Sequence, residues 1–213
     1  MQGLFVPQEV FSNTYKGNGQ HFFAGQPIKI EFLIQCLELH QGEHIIFSDA
    51  DIIVNKIAKL AEYLQSYKQY DMTFMKDNFN DDTRNIGFGL IKSTPETINF
   101  FKKVYEEIKK TQGLDQDIVN NLLPTFTGSH SMFSVPEIIQ SHMMTGQTDF
   151  YILQLLCSHN SSDINIGEKL ATAAKYINIK GQIHLVSQET RDWLKKWFTD
   201  TEENMFWVND LCR

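Results

Sequence analysis

The residues with the clearest chemical potential are Asp49 and Asp51, in the stretch IIFSDADIIV at positions 45 to 54. Apolar residues flank the pair on both sides. In an extended segment, residues i and i+2 share a face, so the two carboxylates would stand side by side. Like charges that close repel, and keeping both ionised needs a cation, unless one takes a proton. Carboxylate oxygens suit hard ions such as Mg²⁺ and Mn²⁺, which also coordinate diphosphate oxygens. The pair therefore reads as a metal–diphosphate site. A second reading also fits: either carboxylate could cap a helix that runs through Ile57 and Leu60.

The first reading requires the strand to stop at Ser48, so that Asp49 and Asp51 project from its carboxyl end. In an open α/β sheet, ligands bind beyond those ends. The surrounding sequence supplies the grammar of such a sheet. From Pro27 a helical period places Ile30, Leu33, Ile34, Cys36 and Leu37 on one face, and Gly42 closes it. KIAKLAEYLQSY predicts an amphipathic helix, DMTFMK a short strand, NFNDDTRN a polar loop and IGFGLIKS another apolar strand. TPETINFFKKVYEEIKK predicts a helix with Thr94 as its N-cap and Pro95 at its first position. QGLDQDIVNNLLP predicts a turn and a short helix. Residues 125 to 160 give no clear assignment. Further on, EKLATAAKYI and ETRDWLKKWF predict helices and IHLVS a strand. Alternating strands and helices predict a three-layer α/β domain with a mixed, mostly parallel sheet flanked by helices.

Composition narrows the function. The 213 residues suit a single domain, one that can also be part of a longer chain. A hydrophobic content of 42% with 21% charged residues is that of a globular protein. The net charge of −7 and the lack of a Lys/Arg cluster argue against nucleic acid as a partner. An acidic protein still binds an anionic diphosphate when a divalent cation intervenes. Cys36, Cys157 and Cys212 are widely spaced and odd in number, which predicts free thiols in a reducing compartment. No run is long enough to span a membrane and no signal-peptide pattern opens the chain, so a cytoplasmic location is expected.

Four segments in order resemble the GT-A glycosyltransferases, in particular the retaining enzymes grouped with glycogenin and the bacterial galactosyltransferases, and the related nucleotide-diphospho-sugar transferases. KIEFLIQCLELHQGEHIIFSDADIIV looks like that group's Lys-bearing helix followed by its DxD strand. NIGFGLIKST looks like its N-x-G strand, LDQDIVNNLL like its D-Q-D-x-x-N segment, and HNSSDINIGEK like its late His-to-Gly-x-Lys element. The resemblance runs from Lys29 to Lys169. It implies a GT-A (Rossmann-like) fold and transfer of a sugar from a nucleotide-diphosphate donor, with UDP-sugar the implied donor and retention the implied stereochemistry. The implied acceptor is a hydroxyl of a glycan or glycoprotein. The family includes virus-encoded enzymes that build capsid glycans, so host cytoplasm is the expected site if the source is viral.

The same resemblance implies roles. Asp49 and Asp51 would hold Mn²⁺ or Mg²⁺, Asp49 also reaching the donor, and His159 would be the third protein ligand. Lys169 would contact the leaving diphosphate, and Gly167 would let the backbone approach it. Lys29 would reach the donor phosphate or sugar. Asn85 and Gly87 would line the sugar pocket. Asp115 and Gln116 would grip sugar hydroxyls or sit beneath the anomeric carbon. Plainer readings stand beside these. Asn-x-Gly also marks a turn entering a strand, Asp115 or Asp117 also suits a helix N-cap, and a lone Lys is often just solvated. Only 48 residues precede Asp49, so the nucleobase pocket would be a shortened version built from LFVPQ with Phe11 or Tyr15. Trp193, Trp197 and Trp207 could stack on sugar rings or serve as core.

Two rival classes remain open from sequence. A phosphatase or phosphotransferase of the haloacid-dehalogenase type also places DxD after an apolar strand, and Asp49 would be its nucleophile. That pattern expects Thr or Val where this chain has Ile53. A non-catalytic binding domain would keep the carboxylates only as caps.

Overall fold

The computed structural model describes residues 20–49, 51–54, 56–77, 82–134, 137–140 and 150–155. They fall into two compact units. One contains residues up to Ser48 and Ala61–Ser134, the other Asp49–Leu60 and residues from Val135 onward.

The first unit opens with α1, Gln20–Leu39. Its buried positions Ile30, Leu33, Ile34 and Leu37 are those the sequence period selects. The helix starts well before Pro27, which therefore lies inside it rather than at its first turn. Proline there removes one backbone donor. The four buried aliphatic side chains that follow offset that loss, each stabilising by about 1.5–3 kcal/mol. The helix stops as its period predicts: Gly42 takes a φ of 85°, a conformation that favours glycine. The Gly42 amide bonds to the Ser93 carbonyl at 2.8 Å, which sets up entry into the sheet.

The sheet is built from β1 (His44–Ser48), β3 (Met72–Lys76), β4 (Arg84–Lys92) and β5 (His130–Met132), in the order β1-β4-β3-β5. The second unit contributes β2 (Ile52–Val54), which comes before β3 in the chain, with β6 (Ile138–Gln140) and β7 (Ile152–Gln154), in the order β2-β7-β6. Both sheets are mixed. Parallel pairing joins β3 to β5 and β6 to β7, while β1–β4, β3–β4 and β2–β7 are antiparallel. The expectation of a mostly parallel sheet is thus corrected among the described residues. The physical reason is connection length. Parallel neighbours need a crossover of about a dozen residues or more, and only residues 77–83 link β3 to β4, closed by an Asp77 amide to Thr83 carbonyl bond of 2.9 Å.

Helix α2 is Ile57–Gln65, α3 is Pro95–Thr111 and α4 is Asp115–Leu122. As expected, Thr94 caps α3. Its hydroxyl accepts from the Thr97 amide at 3.2 Å, and the Thr97 hydroxyl accepts from the Thr94 amide at 2.9 Å. This reciprocal pair satisfies two amides that the first turn leaves without helical partners. Lys109 and Lys110 complement the carbonyl end.

Side chains of α1, α3 and α4 pack with Met72, Phe74, Ile86 and Ile91 in one core. Strand alternation sends Thr73, Phe88 and Leu90 to the opposite face. There Phe88 meets Phe133, which in turn lies against Tyr63 and Tyr67. The short strands β5, β6 and β7 lie within the segment the sequence leaves unassigned. The expected elements around LFVPQ and after residue 160 fall outside the described residues.

Candidate active site

Asp49 and Asp51 lie in the short link between β1 and β2. Strand β1 ends at Ser48, so Asp49 is the first residue beyond it. Asp51 precedes β2, and its carbonyl accepts the Leu155 amide at 2.9 Å. The Asp49 Oδ2 lies 3.5 Å from Gln154 Nε2 on β7. The capping reading does not fit this placement: a strand, β2, follows Asp51 directly, and α2 begins only at Ile57, after Lys56 at a φ of 53°. The donor set present, two half-buried carboxylates two residues apart, has the hard-oxygen chemistry that Mn²⁺ or Mg²⁺ takes. His159, Gly167 and Lys169 lie outside the described residues, as do the three tryptophans. Among the described residues, no group of three or more His, Cys, Asp or Glu is placed to hold a metal.

In the first unit a polar network gathers five of the other expected site residues. Lys29, on α1, sets its Nζ 2.9 Å from Asp115 Oδ2 and 5.3 Å from the centre of the Phe47 ring on β1. Asp115 is buried. Its Oδ2 meets the ammonium as an ionic contact rather than a well-aligned hydrogen bond, and its Oδ1 accepts the Gln116 amide at 2.9 Å. The Gln116 Nε2 donates to Asp77 Oδ1 at 3.1 Å, and Asn85 Nδ2 donates to the same oxygen at 3.2 Å. Asn85 Oδ1 in turn accepts the Gly87 amide at 2.7 Å.

Local structure explains why these residues converge. At the start of α4 the cap position is Leu114, which offers no side-chain acceptor. The orphan amides find other partners: Asp115 N–H donates to Gln26 Oε1 on α1 at 3.1 Å, and Gln116 N–H to the Asp115 carboxylate. Asp115 is therefore the first residue of the helix and not its N-cap. On β4, the register with β3 jumps from Phe74↔Gly89 to Met75↔Asn85. Ile86, Gly87 and Phe88 thus form a bulge against β3, and bulges re-aim side chains beside active sites. Gly87 sits in that bulge, its amide taken by Asn85. The Asn-x-Gly element is therefore a feature within a strand and not a turn that enters one.

Sequence reasoning missed Asp77, Gln26 and Asn120 as members of this network. Asn120, the last residue of the D-Q-D-x-x-N segment, bonds both backbone groups of Arg84, at 2.9 and 2.8 Å, and the Gln116 carbonyl at 2.9 Å. It ties α4 to the first residue of β4. Asp77 carried a readable signal, since it is the acidic residue that closes the strand DMTFMK before a polar loop. At the edge of this region, Arg84 Nη2 lies 3.4 Å from His130 Nδ1. Burial, and then the Arg84 charge, hold the His130 imidazole below its ordinary range.

Helices packed on a mixed sheet make the first unit an α/β fold. The chain belongs to the nucleotide-diphospho-sugar transferase family, whose sequence profile matches residues 19–163. It is similar in structure to a glycosyltransferase involved in the glycosylation of the major capsid of PBCV-1, with a TM-score of 0.53 and 10% identity, over 75% of this chain and 79% of that one. No curated protein matches the sequence. No helix among the described residues is long and apolar enough to cross a membrane. The family assignment sets the haloacid-dehalogenase reading of Asp49 aside.

Proposed function

We propose that the protein is a metal-dependent glycosyltransferase that moves a sugar, with retention, from a UDP-sugar to a hydroxyl of a glycan or glycoprotein. One observation carries this reading beyond the family assignment. Residues from three separate stretches, Lys29, Asn85 and Asp115–Gln116, meet in one network although nothing in their local sequence requires it. The glycoprotein acceptor and a viral setting are suggested by the structural neighbour's part in capsid glycosylation.

In this reading Asp49, Asp51 and His159 hold Mn²⁺ or Mg²⁺. The metal supplies Lewis-acid stabilisation of the charge that builds on the leaving diphosphate. Lys169 adds to that stabilisation from the protein, and Gly167 admits the backbone close to the phosphates. Gln116 and Asn85 position the sugar. The bond from the anomeric carbon to the diphosphate oxygen breaks as the bond to the acceptor oxygen forms, and the acceptor's proton passes to the departing diphosphate. Asp115 is a poor nucleophile in this arrangement, because one oxygen is paired with Lys29 and the other accepts an amide proton. A glutamine amide is a weak nucleophile as well. Attack by the acceptor on the same face as the departing diphosphate is therefore favoured over a covalent glycosyl-enzyme. The test is donor turnover with Mn²⁺, after chelation, and in an Asp51→Asn variant.

A further inference from the structure

We propose that Asp77 is a positioning residue of the sugar site, which fixes the hydrogen-bonding polarity of Gln116 and Asn85. The proposal rests on the glycosyltransferase reading above. Its physical basis is that an ionised carboxylate only accepts hydrogen bonds, whereas an amide both donates and accepts. Asp77 Oδ1 stands 3.1 Å from the Gln116 side-chain amide and 3.2 Å from that of Asn85. Both amides must turn their NH₂ groups to that one oxygen, and their carbonyl oxygens then point elsewhere. The Asn85 oxygen is taken by the Gly87 amide at 2.7 Å, which commits it to holding the β4 bulge. The Gln116 oxygen has no protein partner among the described residues. Asp77 thus makes Gln116 present an acceptor, suited to a sugar hydroxyl proton or to the partial positive charge of an oxocarbenium-like carbon. With the amide reversed it would present a donor, which a hydroxyl oxygen could still accept but which has the wrong polarity for an oxocarbenium-like carbon.

The anchoring is rigid on each side. Asp77 is held by its own amide bond to Thr83 at 2.9 Å, and the Gln116 backbone by Asn120 at 2.9 Å and by Asp115 at 2.9 Å. With its backbone held, Gln116 keeps only side-chain torsions to set, and the bond to Asp77 sets them. Charge-assisted bonds of this kind are roughly twice as strong as neutral ones.

Two measurements test this. In ¹⁵N–¹H spectra of the wild-type protein, one side-chain NH₂ proton of Gln116 and one of Asn85 should exchange slowly with solvent, and Asp77→Ala should release both together. Fast exchange of either proton in the wild type would overturn the proposal, whatever the protein's activity. The second measurement is steady-state turnover of a panel of UDP-sugars, UDP-glucose and UDP-galactose among them, with Mn²⁺. Asp77→Asn is nearly isosteric but can present a donor to Gln116. It should lower kcat about 10- to 100-fold, the usual effect of a misoriented group, with a much smaller change in KM. Turnover within twofold of wild type, per folded molecule, would refute the positioning role. No turnover of any donor in a panel of UDP-sugars by the wild type, with both protons protected, would contradict the glycosyltransferase reading while leaving the amide orientation intact.

Discussion

Replacing Lys29 with methionine removes the counter-ion of a buried carboxylate. The Asp115 side chain is 8% exposed and that of Lys29 25% exposed, with 2.9 Å between the charges. At an effective dielectric of about 20, the gross attraction at that distance is about 6 kcal/mol. Desolvation of both ions cancels much of this, and breaking a buried pair typically costs about 3–5 kcal/mol. The partial exposure of Lys29 and the amide bond that Asp115 retains from Gln116 reduce the expected loss for Lys29→Met to about 2–3 kcal/mol. That figure includes the contact with the Phe47 ring, about 0.5–1 kcal/mol. Asp115→Asn should cost less, because the charge left behind, the Lys29 ammonium, is the more exposed of the two. The double variant should be more stable than the sum of the two losses allows, by at least about 1 kcal/mol. Urea denaturation of all four proteins, without ligand, measures the cycle. Additivity within about 0.3 kcal/mol would refute the claim that the two charges are coupled.

Two further outcomes follow from the packing and the histidines. Gly89→Ala should destabilise the fold by about 1–3 kcal/mol, because the new Cβ would lie 2.8 Å from Phe74 Cδ1 and 3.3 Å from the Thr73 carbonyl. Gly25→Ala, in α1 with nothing within 4 Å of its Cβ, should instead stabilise it by up to about 1 kcal/mol, and the opposite order of urea midpoints would contradict both. Burial lowers the pKa of His130 and of His44 below the ordinary value of 6.5. The unfolded chain then binds more protons, so stability should be full above about pH 7, fall as the pH drops through 6.5, and level off below the folded-state values. The double variant His44→Gln/His130→Gln should show a shallower loss of urea midpoint between about pH 7.5 and 5.5, and an unchanged slope would count against this account.

Much of the fold around the candidate site was legible in the sequence because several positions follow local rules. Thr94-Pro95 marks a helix start that the structure keeps, and the apolar run ending at Ser48 sets where Asp49 emerges. Lys29, Asn85, Asp115 and Gln116 were identified by motif, and their convergence is a tertiary fact that no motif contains. What was not legible depends on partners distant in sequence. Helix α1 begins ahead of Pro27, where the buried Gln26 accepts the Asp115 amide from a residue distant in sequence. The β4 bulge arises from pairing with β3, and without it Gly87 reads as a turn. Strands β5, β6 and β7 span three residues each, too short for alternation to register. Asp77 was missed because its importance lies in two amides that reach it from residues 85 and 116. The antiparallel pairing of β3 and β4 could have been read from the short spacing of their runs.

The central claim is that Asp49 and Asp51 carry a divalent cation used in sugar transfer. Release of UDP from a panel of UDP-sugars tests it most directly, measured for wild type and Asp51→Asn with Mn²⁺, after chelation, and after Mn²⁺ is restored. The account predicts that wild-type turnover is lost on chelation and recovered with Mn²⁺, while Asp51→Asn stays folded and inactive throughout. Turnover that survives chelation, or near-normal turnover by Asp51→Asn with Mn²⁺ present, would contradict it.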